Sequence, residues 1–456
     1  MFSRHVWCVC RHYSTKAPRP VRGMADRIGV AERKYQFIKS VAQQTAEKYG
    51  YEPIHTPTLE YSSVFERTLG SDSDVVGKEL YKLPDSRNQW MTMRPEGTAA
   101  VARALVTNQL EYTLPQKLYY SGPMYRHERP QRGRLRQFEQ FGIESMGIPH
   151  PAIDVESILI GWQFLQQLPL DSDAQLELHL NTLGDAESRS SYRKALKAYF
   201  EHYRDKLSPD SQRRLDTNPL RILDSKSEQD TSIVSNAPIA DEYLLPEAAK
   251  HFEFVQAALK ELDIPFTHNR RLVRGLDYYQ HTVWEVTCAS SELGVSQATV
   301  LAGGRYDGLT SVLGGKRILP GVGWGSGIDR LALLLADSKV PVPAVPVPVV
   351  IIPEASSETR SRYVDDRVYL FAMRVAETIR QYCNAYVVHG SILNDGTAAS
   401  HPSIDKQLAN LLSKEPQPSR VVIVGTEEML KSGVTVRNMS TRQQQFVKLD
   451  SIRDFL

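Results

Sequence analysis

The stretch Lys-Val-Pro-Val-Pro-Ala-Val-Pro-Val-Pro at 339–348 constrains this chain more than any other. Proline fixes φ and carries no N–H. Prolines at nearly every second position therefore forbid a helix or a central strand and favour an extended, semi-rigid connector. The chain is expected to fold as two bodies, 17–338 and 349–456, joined by a Pro-rich linker at 339–348. With 456 residues in all, each body is long enough to bury a core of its own.

Hydrophobic periodicity then sorts the elements. Tyr35, Ile38, Ala42, Thr45 and Tyr49 recur at spacings of three and four, one face of a helix over 31–49 that Gly50 ends. Helices are also expected over 96–108 and 154–168. Strands are expected over 118–126 and 137–144, with a polar loop at 126–136 between them. From 185 to 262 the chain becomes rich in charge, Gln and Leu, with helical runs at 190–207 and 247–262, and reads as a helical insertion. Strand character resumes at 283–288 and 298–302, and 321–335 reads as strand, turn and apolar helix. Beyond the linker, strand-like runs at 349–352, 385–388, 420–424, 434–437 and 446–449 alternate with helical patterns at 362–382, 404–412 and 427–431. That alternation predicts a small α/β domain with a mostly parallel sheet.

Composition closes off several classes. No run of 18 apolar residues occurs, so neither a membrane span nor a membrane partner is expected. Lys and Arg number 55 against 53 Asp and Glu, which excludes a uniformly basic nucleic-acid coat but leaves room for a local basic patch. Cys8, Cys10, Cys288 and Cys383 form no Cys-x-x-Cys pair, so neither a zinc site nor a disulfide framework is expected. The charge asymmetry lies at the start, where Arg4, Arg11, Lys16, Arg19 and Arg22 precede the first acid, Asp26. Residues 1–16 have the composition of a mitochondrial transit peptide, which predicts a place in the mitochondrial matrix; a basic tail with no address is the alternative. A start at Met24 would omit this leader and give a cytoplasmic pool, at the loss of Arg22 and Gly23.

Chemistry concentrates at 124–144. Arg126, Arg129, Arg132, Arg134 and Arg136 fall within eleven residues, a density suited to phosphate, because guanidinium groups bond its oxygens in pairs. Glu128, Glu139 and Glu144 are interleaved, and a solvated charged hairpin is the competing reading. If 138–144 is a strand, Phe138, Gln140, Gly142 and Glu144 share one face. Gln140 and Glu144 can then point together into a pocket for a small cationic or hydrogen-bonding ligand. Arg-Gly-Leu-Asp-Tyr-Tyr at 274–279 gathers further polar groups around a glycine. Leu-Ala-Gly-Gly-Arg-Tyr-Asp-Gly at 301–308 reads as a glycine-rich loop whose N–H groups can approach a ligand. Neither opens a helix in the manner of the Walker or dinucleotide-binding loops.

Together these segments resemble the class II aminoacyl-tRNA synthetases, and within them the histidyl-tRNA synthetase family. Arg-His-Glu-Arg at 126–129 through Arg-Gln-Phe at 136–138 is similar to the second class motif. Gly-Ser-Gly-Ile-Asp-Arg at 325–330 is similar to the third, and Pro57 to the first-motif proline at the dimer interface. Met-Arg-Pro-Glu-Gly-Thr at 93–98 resembles the amino-acid-binding segment. The peptides at 274–279 and 302–308 resemble the two that set histidyl enzymes apart. The resemblance runs from about Gly23 to the C-terminus. It implies an α+β catalytic domain over 17–338, with an antiparallel sheet flanked by helices and the insertion at 185–262. It also implies a C-terminal α/β anticodon-binding domain over 349–456, and a homodimer.

The activity so implied is ATP-dependent attachment of L-histidine to tRNA(His) through a histidyl-adenylate, for mitochondrial translation. By the same resemblance, Arg126, Arg274 and Arg330 are the catalytic arginines around ATP. Arg126 belongs at the α-phosphate, Arg330 at the γ end, and Arg274 where related enzymes have a metal ion. Glu128 belongs near the adenine, and Mg2+ on the ATP phosphates rather than in a protein-only site. Histidine binding falls to Glu96, Thr98, Gln140, Glu144, Tyr278 and Tyr279. Contacts to the tRNA acceptor end fall to Arg129, Gln131, Arg132 and Arg134. The chain departs from the family pattern at Asp329, where Glu is usual, near Gly29, where Pro is usual, and at the bulky Trp324.

Overall fold

The structure, a computed structural model, describes residues 17–70, 73, 75–290, 292–293, 299–336, 349–354, 364–389, 404–412 and 417–456. The expected leader at 1–16 and linker at 339–348 lie outside these residues. The chain divides into two compact units, Met1–Val340 and Pro341–Leu456.

Among the described residues, the first unit holds two sheets. The larger uses β1 (Glu52–Pro53), β5 (Gln116–Tyr125), β6 (Gln137–Met146), β7 (Gln175–Thr182), β8 (Thr267–His268), β9 (Gln280–Ala289), β10 (Thr299–Arg305) and β11 (Gly321–Gly327). Their order is β1-β5-β6-β11-β10-β9-β7-β8. The six long strands pair antiparallel, as expected, while the two short edge strands pair parallel to β5 and β7, so the whole sheet is mixed. The smaller sheet is formed by β2 (Leu59–Tyr61), β3 (Lys82–Pro84) and β4 (Trp90–Met93), in the order β2-β4-β3.

Glycine spacing decides which face of the large sheet stays open. β11 reads Gly-Val-Gly-Trp-Gly-Ser-Gly, so every second position lacks a side chain. A methyl at Gly323 would overlap the Glu144 carboxylate, and one at Gly325 would overlap the Gln140 amide. The bare face of β11 is therefore what lets β6 lean its polar side chains across it. The other face carries Trp324, which stacks on Phe164 with centroids 6.0 Å apart and donates its indole N–H to Ser157 O at 3.0 Å. The unusual bulk at this position thus serves the core. That core lies against α1 (Val30–Lys48) and α4 (Ala152–Gln166), while α2 (Ser62–Leu69) and α3 (Thr98–Thr107) follow β2 and β4.

The insertion contains α5 (Ala186–His202), α6 (Pro209–Thr217), α7 (Glu228–Ser235) and α8 (Pro246–Glu261). Periodicity found α5 and α8 and missed the two short middle helices, because a pattern of period 3.6 barely repeats in eight or nine residues. Tyr192, Leu196, Phe200, Leu215 and Ile222 form its own small core. Back in the main body, α9 (Leu309–Val312) follows β10 and α10 (Ile328–Leu334) follows β11.

Of the loop expected over 301–308, only 306–308 form a turn, since residues up to Arg305 belong to β10. Gly303 and Gly304 sit mid-strand because Cβ atoms there would overlap Trp284 and Tyr279, respectively. They make room for rings and do not present N–H groups to a ligand.

In the second unit, β12 (Val349–Pro353), β13 (Ala385–Val387), β14 (Arg420–Val424), β15 (Gly433–Asn438) and β16 (Gln444–Lys448) are ordered β13-β12-β14-β15-β16. α11 (Asp366–Arg380), α12 (Ile404–Leu412) and α13 (Thr426–Leu430) complete it. The sheet is half parallel rather than mostly parallel: β12 pairs parallel with β13 and β14, and β14–β15–β16 run antiparallel. The connection from β14 to β15 is too short for the crossover that parallel pairing requires.

Candidate active site

The arginine-rich segment closes one end of the open face. Arg126 follows β5, and its N–H donates to Arg136 O at 2.8 Å, which pins the base of the loop. Gly23 O accepts from the N–H groups of Arg136 (2.8 Å) and Gln137 (3.3 Å), so the entry strap holds the loop from outside. Gly23 has φ +85°, and a methyl there would press on Pro130 and Arg136.

A cleft of about 190 Å3 lies between this loop and the start of α10, lined by Arg126, Glu128, Arg134, Phe138, Gln140 and Arg330, among others. Arg126 Nε donates to Pro95 O at 3.0 Å, and its guanidinium lies 5.5 Å over the Phe138 ring. Arg330 donates to the carbonyls of Gly133 and Thr299. Among the described residues, carbonyl oxygens rather than carboxylates hold both arginines, so their charge is left available. Burial, and then the charges of Arg134 and Arg126, hold Arg330 below its ordinary pKa against the opposing pull of Glu128. Cations crowded in this way favour an anion between them. Arg134 Nε pairs with Glu128 at 2.5 Å, and burial pushes the Glu128 carboxyl up.

Arg274 does not line that cleft. It lines an adjoining cavity of about 800 Å3, to which Arg126 and Arg134 also contribute. Arg274 NH1 lies 3.6 Å from Glu285 Oε2, the same oxygen accepts from Thr299 Oγ1 at 3.0 Å, and Thr299 O accepts from Arg330. A continuous polar path therefore joins Arg274 to Arg330 across β9 and β10, and Arg126 borders both cavities. Arg274 Nε is buried with no hydrogen-bond partner among the described residues.

Further along the same face of β6 is a pocket of buried acids and rings. Glu96, just before α3, accepts from the N–H groups of Thr98 (2.7 Å) and Ala99 (2.8 Å), which satisfies the first turn of that helix. Thr98 Oγ1 donates to Glu144 Oε1 at 2.6 Å, and Tyr306 OH hydrogen-bonds Glu144 Oε2. Glu144 is wholly buried. Burial pushes its carboxyl up to about 8, against the hydrogen bonds from Thr98 and Tyr306, and the nearby Glu96 adds to the rise. Burial also raises Glu96, opposed by its two backbone donors and by Arg126. Tyr278, Tyr279 and Tyr306 pack together with centroids 4.5–6.4 Å apart. Gln140 Oε1 is buried without a partner among the described residues. Two close acids with aromatic walls and an unused amide oxygen suit a small ligand bearing cationic or N–H groups.

The structure thus gathers Glu96, Thr98, Glu144, Tyr278 and Tyr279 into one cluster, with Gln140 between it and the arginine cleft. Arg129, Gln131 and Arg132 stand exposed on the loop, where Arg132 pairs with Glu292. Two members of the pocket were given no role from sequence, Tyr306 and Tyr120. Tyr120 is buried, and its ring occupies the space that Cβ atoms at Gly97 and Gly142 would fill. Reading 302–306 as a strand would have found Tyr306: period two puts it with Gly304 on the pocket face and turns Arg305 to the helix face. Arg305 indeed bonds Asp154 of α4 there, Nε to Oδ1 at 3.1 Å. Asp329 accepts from Tyr35 OH (3.0 Å) and from Glu139 N (2.7 Å), so the shorter acid ties α10 to α1 and β6. Among the described residues no group of three or more His, Cys, Asp or Glu gathers to hold a metal, and no helix is long and apolar enough to cross a membrane.

Comparison with known proteins agrees with this arrangement. The family profile described as Histidyl-tRNA synthetase matches residues 23–331. The chain is 41% identical over 440 residues to a histidine–tRNA ligase of Rhodospirillum rubrum, covering 96% of this chain and 99% of that one. It is 40% identical over 438 residues to the corresponding ligase of Gluconacetobacter diazotrophicus, covering 96% and 98%. The crystal structure of apo S. aureus histidyl-tRNA synthetase superposes with a TM-score of 0.73 at 27% identity, covering 96% of this chain and 99% of that one. With an arginine cleft beside an acid-and-tyrosine pocket on one sheet face, and a family profile that spans both, the chain belongs to the class II histidyl-tRNA synthetase family.

Proposed function

We propose that this chain is a histidine–tRNA ligase that works through a histidyl-adenylate. In the first step the histidine carboxylate attacks the α-phosphorus of ATP, the bond to the bridging oxygen breaks, and pyrophosphate leaves. In the second, a 3′-terminal ribose hydroxyl of tRNA(His) attacks the activated carbonyl and AMP leaves. The obstacle in the first step is an anion approaching a triphosphate, and fixed cations are the remedy. Arg126 takes the α-phosphate and Arg330 the γ end, Arg274 supplies from the adjoining cavity the charge that a metal ion brings in related enzymes, and Glu128 lies near the adenine. Mg2+ enters on the ATP phosphates as part of that substrate, in keeping with a site lined by arginines.

Glu96 and Glu144 receive the ammonium and imidazole N–H groups of histidine. Gln140 and Thr98 complete the polar set, and Tyr278 and Tyr279 close on the ring. Arg129, Gln131, Arg132 and Arg134 meet the acceptor end of the tRNA, and the second unit reads the anticodon, since unstacked loop bases are what proteins recognise sequence-specifically in RNA. A homodimer is supported by the small sheet, where Leu59, Tyr61 and Leu83 leave an apolar face exposed. The basic leader supports a role in mitochondrial translation, with a cytoplasmic pool from Met24 as the variant form.

The observation that carries this reading is the pair Arg126 and Arg330, lining one cleft with no ion-paired carboxylate among the described residues, beside the buried Glu144. Pyrophosphate exchange screened over the twenty amino acids tests it. Histidine alone should support exchange, and Arg274→Ala should reduce it by on the order of 10²–10³ in a folded protein. Exchange driven better by another amino acid would refute the assignment.

A further inference from the structure

The peptide 274–279 carries Arg274, Tyr278 and Tyr279 yet has neither helix nor strand hydrogen bonding of its own. Something other than a ladder must fix its backbone. The helical insertion does so from behind. Arg189, in the first turn of α5, donates NH1 to two carbonyls, Asp277 O at 3.0 Å and Tyr279 O at 2.6 Å, the two that flank Tyr278. Asn218, just past α6, donates its amide to Asp277 Oδ1 at 2.6 Å. Arg221 donates to Arg274 O at 3.4 Å. On the opposite side Gly70 makes room for the Asp277 carboxylate, whose Oδ2 would lie 2.6 Å from a Cβ there.

We propose that Arg189 is a positioning residue for the amino-acid substrate. By holding the carbonyls on either side of Tyr278, it sets the tyrosine wall of the pocket, with Asn218 as its second anchor. The insertion is then a structural part of the amino-acid site, with Arg189 and Asn218 acting through the backbone and carboxylate of the peptide they hold. The proposal rests on the reading above that Tyr278 and Tyr279 line a histidine site. Its signature is selective: a displaced wall weakens the hold on histidine and leaves the nucleotide cleft, on the other side of Gln140, intact.

Pyrophosphate exchange with the full chain, varying histidine and ATP separately, tests this in Arg189→Met, Arg189→Lys and Asn218→Ala. Arg189→Met should raise the KM for histidine about tenfold, because small misplacements of positioning groups are costly. The KM for ATP should stay within about twofold, since Arg189 holds only the carbonyls of Asp277 and Tyr279, while the carbonyl of Arg274 keeps its own anchor in Arg221. Arg189→Lys, which keeps a cationic donor, should recover part of the loss. Asn218→Ala should act in the same direction and carries the test if Arg189→Met does not fold. An unchanged histidine KM, or equal rises for both substrates, would overturn the proposal. Arg274→Ala serves as the control. If it spares exchange, the functional reading itself fails, whereas if it abolishes exchange while Arg189→Met and Asn218→Ala are neutral, only the positioning role falls.

Discussion

The hydroxyl of Thr98 donates to Glu144 Oε1 at 2.6 Å, joining the first turn of α3 to the middle of the large sheet. The bond spans 46 residues of sequence and ties together two halves of one pocket. It also helps hold a carboxylate where burial disfavours charge.

That carboxylate makes stability depend on pH. Burial pushes Glu144 up to about 8 from its ordinary value of 4.5, so between these values the folded chain holds a proton that the unfolded chain has released. Its stabilising contribution is complete below the unfolded value and is lost as pH rises through about 8. Glu144→Gln should flatten this decline, raising Tm relative to the unmodified chain at alkaline pH while abolishing histidine-dependent exchange. Calorimetric scans at acid and alkaline pH check this, and parallel declines in both proteins would contradict it.

Gly325→Ala should damage the site without unfolding it. The added methyl meets the far end of the Gln140 side chain and no backbone atom. The amide must swing away, and kcat/KM for histidine should fall by on the order of 10². A variant with normal kinetics would show that Gln140 has no fixed task.

Asp154 should matter for stability rather than chemistry. It is fully buried on α4, with Arg305 Nε within 3.2 Å of both its oxygens and His251 Nε2 at 3.4 Å. Burial alone would raise this carboxyl, but His251 and Arg305 hold it below its ordinary value. Asp154→Ala removes the main partner of a buried guanidinium, leaving it Asp307 and two backbone carbonyls, and should cost about 3 kcal/mol. Urea unfolding measures this, and a loss below about 1 kcal/mol would mean that Asp307 and the carbonyls suffice for Arg305.

If residues 1–16 are the proposed import signal, removing them should leave aminoacylation unchanged and abolish mitochondrial import, because their basic, acid-free composition is that of such a signal. A chain begun at Met24 should be less active, since it also lacks Gly23, whose carbonyl holds the N–H groups of Arg136 and Gln137. Fluorescence localisation and charging assays of the two truncations separate these effects.

The sequence by itself determined whatever depends on local repetition. Alternation along 138–144 put Gln140 and Glu144 on one face, and spacings of three and four marked the first helix before any partner was known. Motif likeness brought in residues that periodicity could not rank, among them Glu96 and Arg274. Only the tertiary structure decided who meets whom. It set Tyr306 against Glu144, 162 residues away, and turned Arg305 toward Asp154, 151 residues away. It moved the glycines at 303 and 304 from an expected loop into a strand and gave the insertion a hold on the 274–279 peptide. The physical reason is range. A periodic pattern reports which side of its own element a residue occupies, but burial of charge, overlap of rings and vacancy at a glycine arise between elements, where chain order carries no distance.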